Sequence, residues 1–185
     1  MWRPLAEVSY LNTDSLARIR NVVETLRQAS GERDGGLFFG LVFIVYSKML
    51  PAILLVDDDA TTNFLNQRLL SRLNVSRAVH VAGNGVEALT RLQACCQEAP
   101  DTFPVLILLD VNMPVMNGFE FLEAYQQLPA APRRHTVIVM LTTSTLDADQ
   151  LRAQQLPIAG YLTKPLTREN MATVLRVHFN LPPHP

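Results

Sequence analysis

The sequence predicts a doubly wound parallel α/β domain, and three observations carry that expectation. From Pro51 onward, short apolar runs alternate with segments of helical spacing. The apolar runs are mostly continuous, the mark of strands buried on both faces of a parallel sheet. Several end directly in residues that can do chemistry: Asp57-Asp58-Asp59, Asp110, Thr142 and Lys164. The central stretch runs from Pro104 through Val105, Leu106, Ile107, Leu108 and Leu109 into Asp110, and a Pro/Asn/Gly loop to Gly118 follows at once. Asp110 thereby falls at the carboxyl end of a central strand, the edge where open α/β sheets hold their ligands. Taken alone, it is as much a turn or capping residue as a nucleophile or a metal ligand.

Each element follows in order. Residues 52–56 read as the first strand, and Asp59 can cap what comes next. Helical spacing then sets Phe64, Leu65, Leu69, Leu70 and Leu73 on one side and Gln67, Arg68 and Arg72 on the other. Residues 77–82 read as a second, more polar strand at a sheet edge, and Gly83-Asn84-Gly85 as a turn. Val86, Leu89, Leu92 and Cys96 mark the inner face of a second helix. After the strand ending at Asp110, a third helix carries Phe119, Leu122 and Tyr125 and stops near Leu128-Pro129. Residues 137–141 form a fourth strand, ending in Thr142-Thr143-Ser144. The helix expected over about 147–155 has few apolar residues beyond Leu151. Residues 158–163 form the fifth strand, followed by Lys164-Pro165, and Thr167 can cap a last helix bearing Met171, Val174 and Leu175. Five strands alternating with five helices imply right-handed crossovers and leave no room for a second domain after the fifth unit.

The chain of 185 residues suggests one such domain plus an extension. Its 48% hydrophobic content and formal charge of −1 are ordinary for a soluble globular protein and give no electrostatic footprint for direct nucleic-acid binding. Cys95 and Cys96 are adjacent in a helical pattern and point apart, so buried free thiols in a reducing cytosol are expected rather than a disulfide. Residues 1–48 differ from the rest. Leu16, Ile19, Val22, Val23 and Leu26 have helical spacing, with Asp14 able to cap the start and Gly31 to end it. Gly31-Glu32-Arg33-Asp34-Gly35-Gly36 reads as a flexible linker. The apolar run 37–46 is shorter than the roughly 20 residues a membrane span needs. The extension reads as an extra helix packed on the domain, as a peripheral or partner-binding segment, or as sequence upstream of a start properly at Met49. A misassigned start or a weakly ordered segment is favoured over a functional module.

In a parallel sheet the strand ends at Asp57-Asp58-Asp59, Asp110, Thr142 and Lys164 converge. Clustered carboxylates raise one another's pKa unless a cation sits among them, and hard oxygen donors suit Mg²⁺. Helix capping needs one aspartate, and three in a row exceed that need. A carboxylate beside Mg²⁺, a hydroxyl and a lysine is what phosphoryl capture by an aspartate requires. Asp110 is expected to attack phosphorus, with Lys164 and the Thr142 hydroxyl offsetting charge on the phosphoryl oxygens.

Residues 51–180 resemble the receiver domain of two-component response regulators. The motifs that carry the resemblance are Ile53-Leu54-Leu55-Val56-Asp57-Asp58-Asp59, Asn84-Gly85-Val86-Glu87-Ala88-Leu89, Asp110-Val111-Asn112-Met113-Pro114-Val115-Met116-Asn117-Gly118, Leu141-Thr142-Thr143-Ser144 and Gly160-Tyr161-Leu162-Thr163-Lys164-Pro165. The resemblance implies a flavodoxin-like (βα)5 sandwich with strand order 2-1-3-4-5, a receiver domain over 49–181 and a tail over 182–185. It implies that Asp110 becomes an aspartylphosphate and that Mg²⁺ is held by Asp57 (largely through water), Asp58, Asp110 and the Asn112 backbone carbonyl. Thr142 and Tyr161 would be the switch pair, and the Lys164-Pro165 bond would be cis. A single-domain regulator of this kind resembles the chemotaxis regulator or phosphorelay intermediates. It would sit in the cytoplasm without a membrane span, take its phosphoryl group from a histidine kinase or histidine phosphotransfer protein, and signal to a downstream protein target. It would be no enzyme beyond its own phosphorylation and dephosphorylation.

Two other classes fit less well. A hydrolase of the haloacid dehalogenase type needs a second acid two residues after the nucleophile, where Asn112 stands. A flavodoxin-like nucleotide or flavin module would bind phosphate on the loop after the first strand, where three aspartates would repel it.

Overall fold

In a computed structural model of the protein, residues 49–98, 103–143 and 158–181 are described. The strands are β1 (Ile53–Val56), β2 (Val79–Ala82), β3 (Leu106–Asp110), β4 (Val137–Thr142) and β5 (Gly160–Thr163). The helices are α1 (Ala60–Leu73), α2 (Gly85–Glu98), α3 (Gly118–Tyr125), the short α4 (Ala130–Arg133) and α5 (Arg168–Phe179). All pairings are parallel and the strand order is β2-β1-β3-β4-β5, as expected. The extension over 1–48, the helix expected over 147–155 and the tail over 182–185 lie outside the described residues.

The central strands β1 and β3 are wholly buried, which is why they read as unbroken apolar runs. Two apolar layers cover the sheet. Leu70, Leu73, Met171, Val174 and Leu175 of α1 and α5 pack on Ile53, Leu55, Leu106 and Leu108. Ala88, Leu92, Phe119, Phe121, Leu122 and Tyr125 of α2 and α3 pack on Leu54, Val56, Ile107 and Leu109. Alternate residues of each strand thus serve opposite faces.

Side-chain caps set several helix ends. Thr167 accepts the Asn170 N–H at 3.2 Å, and α5 stops at Asn180 in the left-handed region. Asn117, read from sequence only as loop, forms a capping box with Glu120. Glu87 N–H donates to the Asn84 side chain at 2.9 Å while the Glu87 carboxylate accepts the Gly83 N–H at 2.6 Å.

Some expectations from spacing are corrected. β2 begins at Val79 rather than residue 77, and β5 at Gly160 rather than 158. The third helix ends at Tyr125, and α4 is an added turn. Cys95 and Cys96 are free thiols but half-buried. Val86 is exposed, whereas Leu92 and, half-buried, Leu89 and Cys96 face the core as expected, joined by Ala88. The largest correction is α1, where Phe64 and Leu65 are 54% and 59% exposed. The buried face is Asn63, Asn66, Leu70 and Leu73. Two asparagines turn inward at the end of α1 nearest Asp57, so counting apolar residues misplaced that end of the stripe.

Replacing Leu70, 1% exposed, by Ala is expected to lower the unfolding free energy by about 2–5 kcal/mol. Phe64→Ala loses only an exposed stacking contact with Arg68 and should cost no more than about 1 kcal/mol. Urea unfolding of the two variants checks which face of α1 is inward.

Candidate functional site

Asp57 follows β1 directly. Its N–H donates to the Ala82 carbonyl at 3.1 Å, extending the β1–β2 pairing by one bond, and the residue is 2% exposed. Its Oδ1 accepts the Asp59 N–H at 3.0 Å, and its carbonyl accepts Asn63 Nδ2 at 2.7 Å. Asp58 is exposed. Asp59 is the N-cap of α1, accepting the N–H groups of Thr61 and Thr62 at 3.0 and 3.2 Å and the Thr62 hydroxyl at 2.6 Å. The Thr62 hydroxyl, then the Thr61 amide, hold its carboxyl below the ordinary range. Of the three successive aspartates, the third is therefore a cap, and the first two are left to face Asp110.

Asp110 ends β3 and is 6% exposed. One oxygen each of Asp57, Asp58 and Asp110 lie within 4.8 Å of one another. Lys164, delivered just past β5, places Nζ 2.7 Å from Asp57 Oδ2 and 2.9 Å from Asp110 Oδ1. Its backbone N–H donates to the Thr142 carbonyl at 2.8 Å, so the buried Thr142 and Lys164 are tied through the ends of adjacent strands. The Lys164-Pro165 bond is cis. Tyr161 pairs in register with Met140, two residues before Thr142, and its half-buried ring packs against the apolar layer under α2 and α3. The sheet thus brings Asp57, Asp58, Asp110 and Lys164 together with Thr142 adjacent. Tyr161 stands further along β5, and Asn112 is exposed in the loop after Asp110.

Burial pushes the Asp110 carboxyl up, and the nearby Asp57 charge adds to this, while the hydrogen bond and charge of Lys164 pull the other way without cancelling it. Burial would pull the Lys164 ammonium down, but hydrogen bonds to Asp57 and Asp110 and their charges outweigh it and hold the group above its ordinary value. Three oxygen donors, two of them buried, fit Mg²⁺, which takes one or two carboxylates and completes its shell with water.

Two neighbours of the site escaped the sequence reading. Asn63 secures the carbonyl of Asp57. Met116 packs against Gly85, and its carbonyl accepts the Gly85 N–H at 3.2 Å. A buried asparagine in a helix and a contact between distant turns leave no periodic signal.

A carboxyl whose folded-state pKa is raised binds its proton more tightly in the native state, so stability is lost as pH rises through that pKa. Asp110→Asn is therefore expected to melt higher than the parent chain at neutral pH in the absence of divalent ions. The gain should vanish at a pH low enough to protonate Asp110 in both states, as read by thermal melts across pH.

Comparison with known proteins agrees with this architecture. The family profile described as the response regulator receiver domain matches residues 53–176. The chain is 33% identical over 112 residues to the response regulator Rcp1 of Synechocystis sp., covering 60% of this chain and 75% of that one. It is 30% identical over 146 residues to hybrid signal transduction histidine kinase B of Dictyostelium discoideum, covering 72% of this chain but 7% of the kinase. Among solved structures, a two-component response regulator from Cytophaga hutchinsonii superposes with a TM-score of 0.65 at 25% identity, over 71% of this chain and 98% of that one. On the match to the family profile, set on this sheet and these strand ends, the chain belongs to the receiver-domain family of two-component response regulators.

Proposed function

We propose that the protein accepts a phosphoryl group on Asp110 from a phosphohistidine donor, in a Mg²⁺-dependent reaction, and passes the signal to a protein partner. The observation that carries this reading is the meeting of Asp57, Asp58 and Asp110, one oxygen of each within 4.8 Å of the others, with Lys164 shared between two of them. A carboxylate oxygen of Asp110 forms the new P–O bond while the P–N bond of the donor breaks and its imidazole leaves. Asp57, Asp58, Asp110 and the Asn112 backbone carbonyl would hold Mg²⁺, with Asp57 acting largely through water. The ion neutralises phosphoryl charge when bound. Lys164 exchanges its carboxylate contact for a phosphoryl oxygen, and Thr142 donates its hydroxyl to another. Burial of Asp110 keeps the reacting atoms away from most solvent.

The donor would be a histidine kinase or histidine phosphotransfer protein, and the setting the cytoplasm. Among the described residues, no helix is long and apolar enough to cross a membrane. The chain spans 7% and 15% of two of the curated relatives it matches, the Dictyostelium discoideum kinase and a transcription factor of Chaetomium thermophilum, so the receiver role is proposed for this chain alone. Its only catalysis would be of its own phosphorylation and dephosphorylation. The output is proposed to run through Thr142 and Tyr161. When Thr142 turns toward the phosphoryl group, the Tyr161 ring gains space to move inward, and a partner with unequal affinity for the two shapes reads the change.

Labelling with acetyl phosphate should require Mg²⁺, yield an acid-stable, base-labile acyl phosphate, and disappear in Asp110→Asn. Unchanged labelling in that variant would refute the assignment. Backbone amide NMR with beryllofluoride should show shift changes that extend from the site to residues 158–164, and Thr142→Ala should confine them to the neighbourhood of Asp57, Asp58 and Asp110.

A further inference from the structure

The motif Asn84-Gly85-Val86-Glu87-Ala88-Leu89 lies at the start of α2 and contributes no group to the acidic cluster. Its glycine nevertheless touches the loop that leaves Asp110. The Gly85 N–H donates to the Met116 carbonyl at 3.2 Å. A Cβ placed on Gly85 would lie 2.6 Å from Met116 Cγ, 2.7 Å from Sδ and 3.1 Å from Cβ. The methionine side chain occupies the space where any other residue would project.

The loop that Met116 belongs to is strained. The Met116 N–H donates to the Pro114 carbonyl at 2.8 Å, which closes a γ-turn around Val115. Val115 has φ +70°, a left-handed value that a β-branched side chain disfavours. Its side chain is 83% exposed, so its own packing does not hold it there. The turn is held from its two sides. At one end the Gly118 N–H donates to the Val111 carbonyl at 3.0 Å, and a Cβ on Gly118 would meet the Asp110 carbonyl oxygen at 2.5 Å. At the other end is the Met116–Gly85 seat. Asn112 lies inside the loop that the Val111–Gly118 bond closes, and Asp110 immediately precedes it. Backbone strain beside reacting groups persists only where surrounding contacts enforce it.

We propose that Gly85 is a positioning residue for phosphoryl acceptance, because the seat it offers Met116 holds the loop 111–117 in its strained turn and so fixes the Asn112 carbonyl and the Asp110 backbone beside the cation site. This rests on the Mg²⁺-dependent phosphoryl transfer proposed above. Gly85 touches neither ion nor phosphoryl group. Its effect is felt in how well the loop's oxygen donors are aimed.

The test titrates full-length chains with MgCl₂, following amide shifts, and measures acetyl phosphate labelling at low and saturating Mg²⁺. Gly85→Ala is expected to weaken Mg²⁺ binding by about tenfold, the lower end of what misoriented ligands cost. Its labelling should slow at low Mg²⁺ and largely recover at saturation. Met116→Ala, which leaves the seat empty, should also weaken binding. The double variant Gly85→Ala/Met116→Ala, in which the added methyl no longer meets Cγ and Sδ, should bind more tightly than Gly85→Ala alone. Parent-like Mg²⁺ affinity in Gly85→Ala or in Met116→Ala would overturn the proposal, as would a cooperatively folded double variant no better than the single. If Gly85→Ala does not fold, the Met116→Ala result decides. A parent chain with no Mg²⁺ response would remove the phosphoryl reading and this one together. A normal parent response, abolished by Asp58→Asn but indifferent to the seat, would remove this one alone.

Discussion

The ammonium of Lys164 between Asp57 and Asp110 is the contact on which the site depends. Two buried carboxylates at neighbouring strand ends repel each other, and a cation between them offsets that repulsion. Lys164 supplies the cation from a third strand, across the width of β3 and β4, and its backbone joins it to Thr142. A single side chain thereby makes β1, β3 and β5 interdependent at their carboxyl ends. An ammonium held between two carboxylates pairs charge with charge and leaves neither buried carboxylate without a partner.

Geometry upstream of the site explains why these ends coincide. In a parallel sheet every strand runs the same way, so residues just past the apolar run always arrive at the same edge. The order β2-β1-β3-β4-β5 sets β1 and β3 next to each other, and with them Asp57 and Asp110. The caps at Asp59 and Asn117 begin α1 and α3 on that side, so the loops carrying the carboxylates are anchored at both ends.

The strand ends were legible in the sequence because the same residues satisfy two independent signals: an apolar run that must be buried, and a polar residue that buries poorly without a partner. The Thr167 cap and the edge position of β2 were legible for similarly local reasons. The inward face of α1 was not, because Asn63 is buried through a bond to the Asp57 carbonyl, an interaction without hydrophobic periodicity. The contact between Gly85 and Met116 was invisible for another reason. A glycine in a turn announces conformational freedom, whereas this one is needed for the space left by its missing side chain.

The two outermost strands, β2 and β5, are only four residues long. A strand that short offers few free backbone groups to an incoming chain, which blunts edge-to-edge growth of the sheet. It also narrows the ways in which this chain is recognised. Annexing so short a sheet edge with an extended peptide would gain little, whereas α1 leaves Phe64 and Leu65 exposed. Contacts made through side chains read shape and charge rather than backbone.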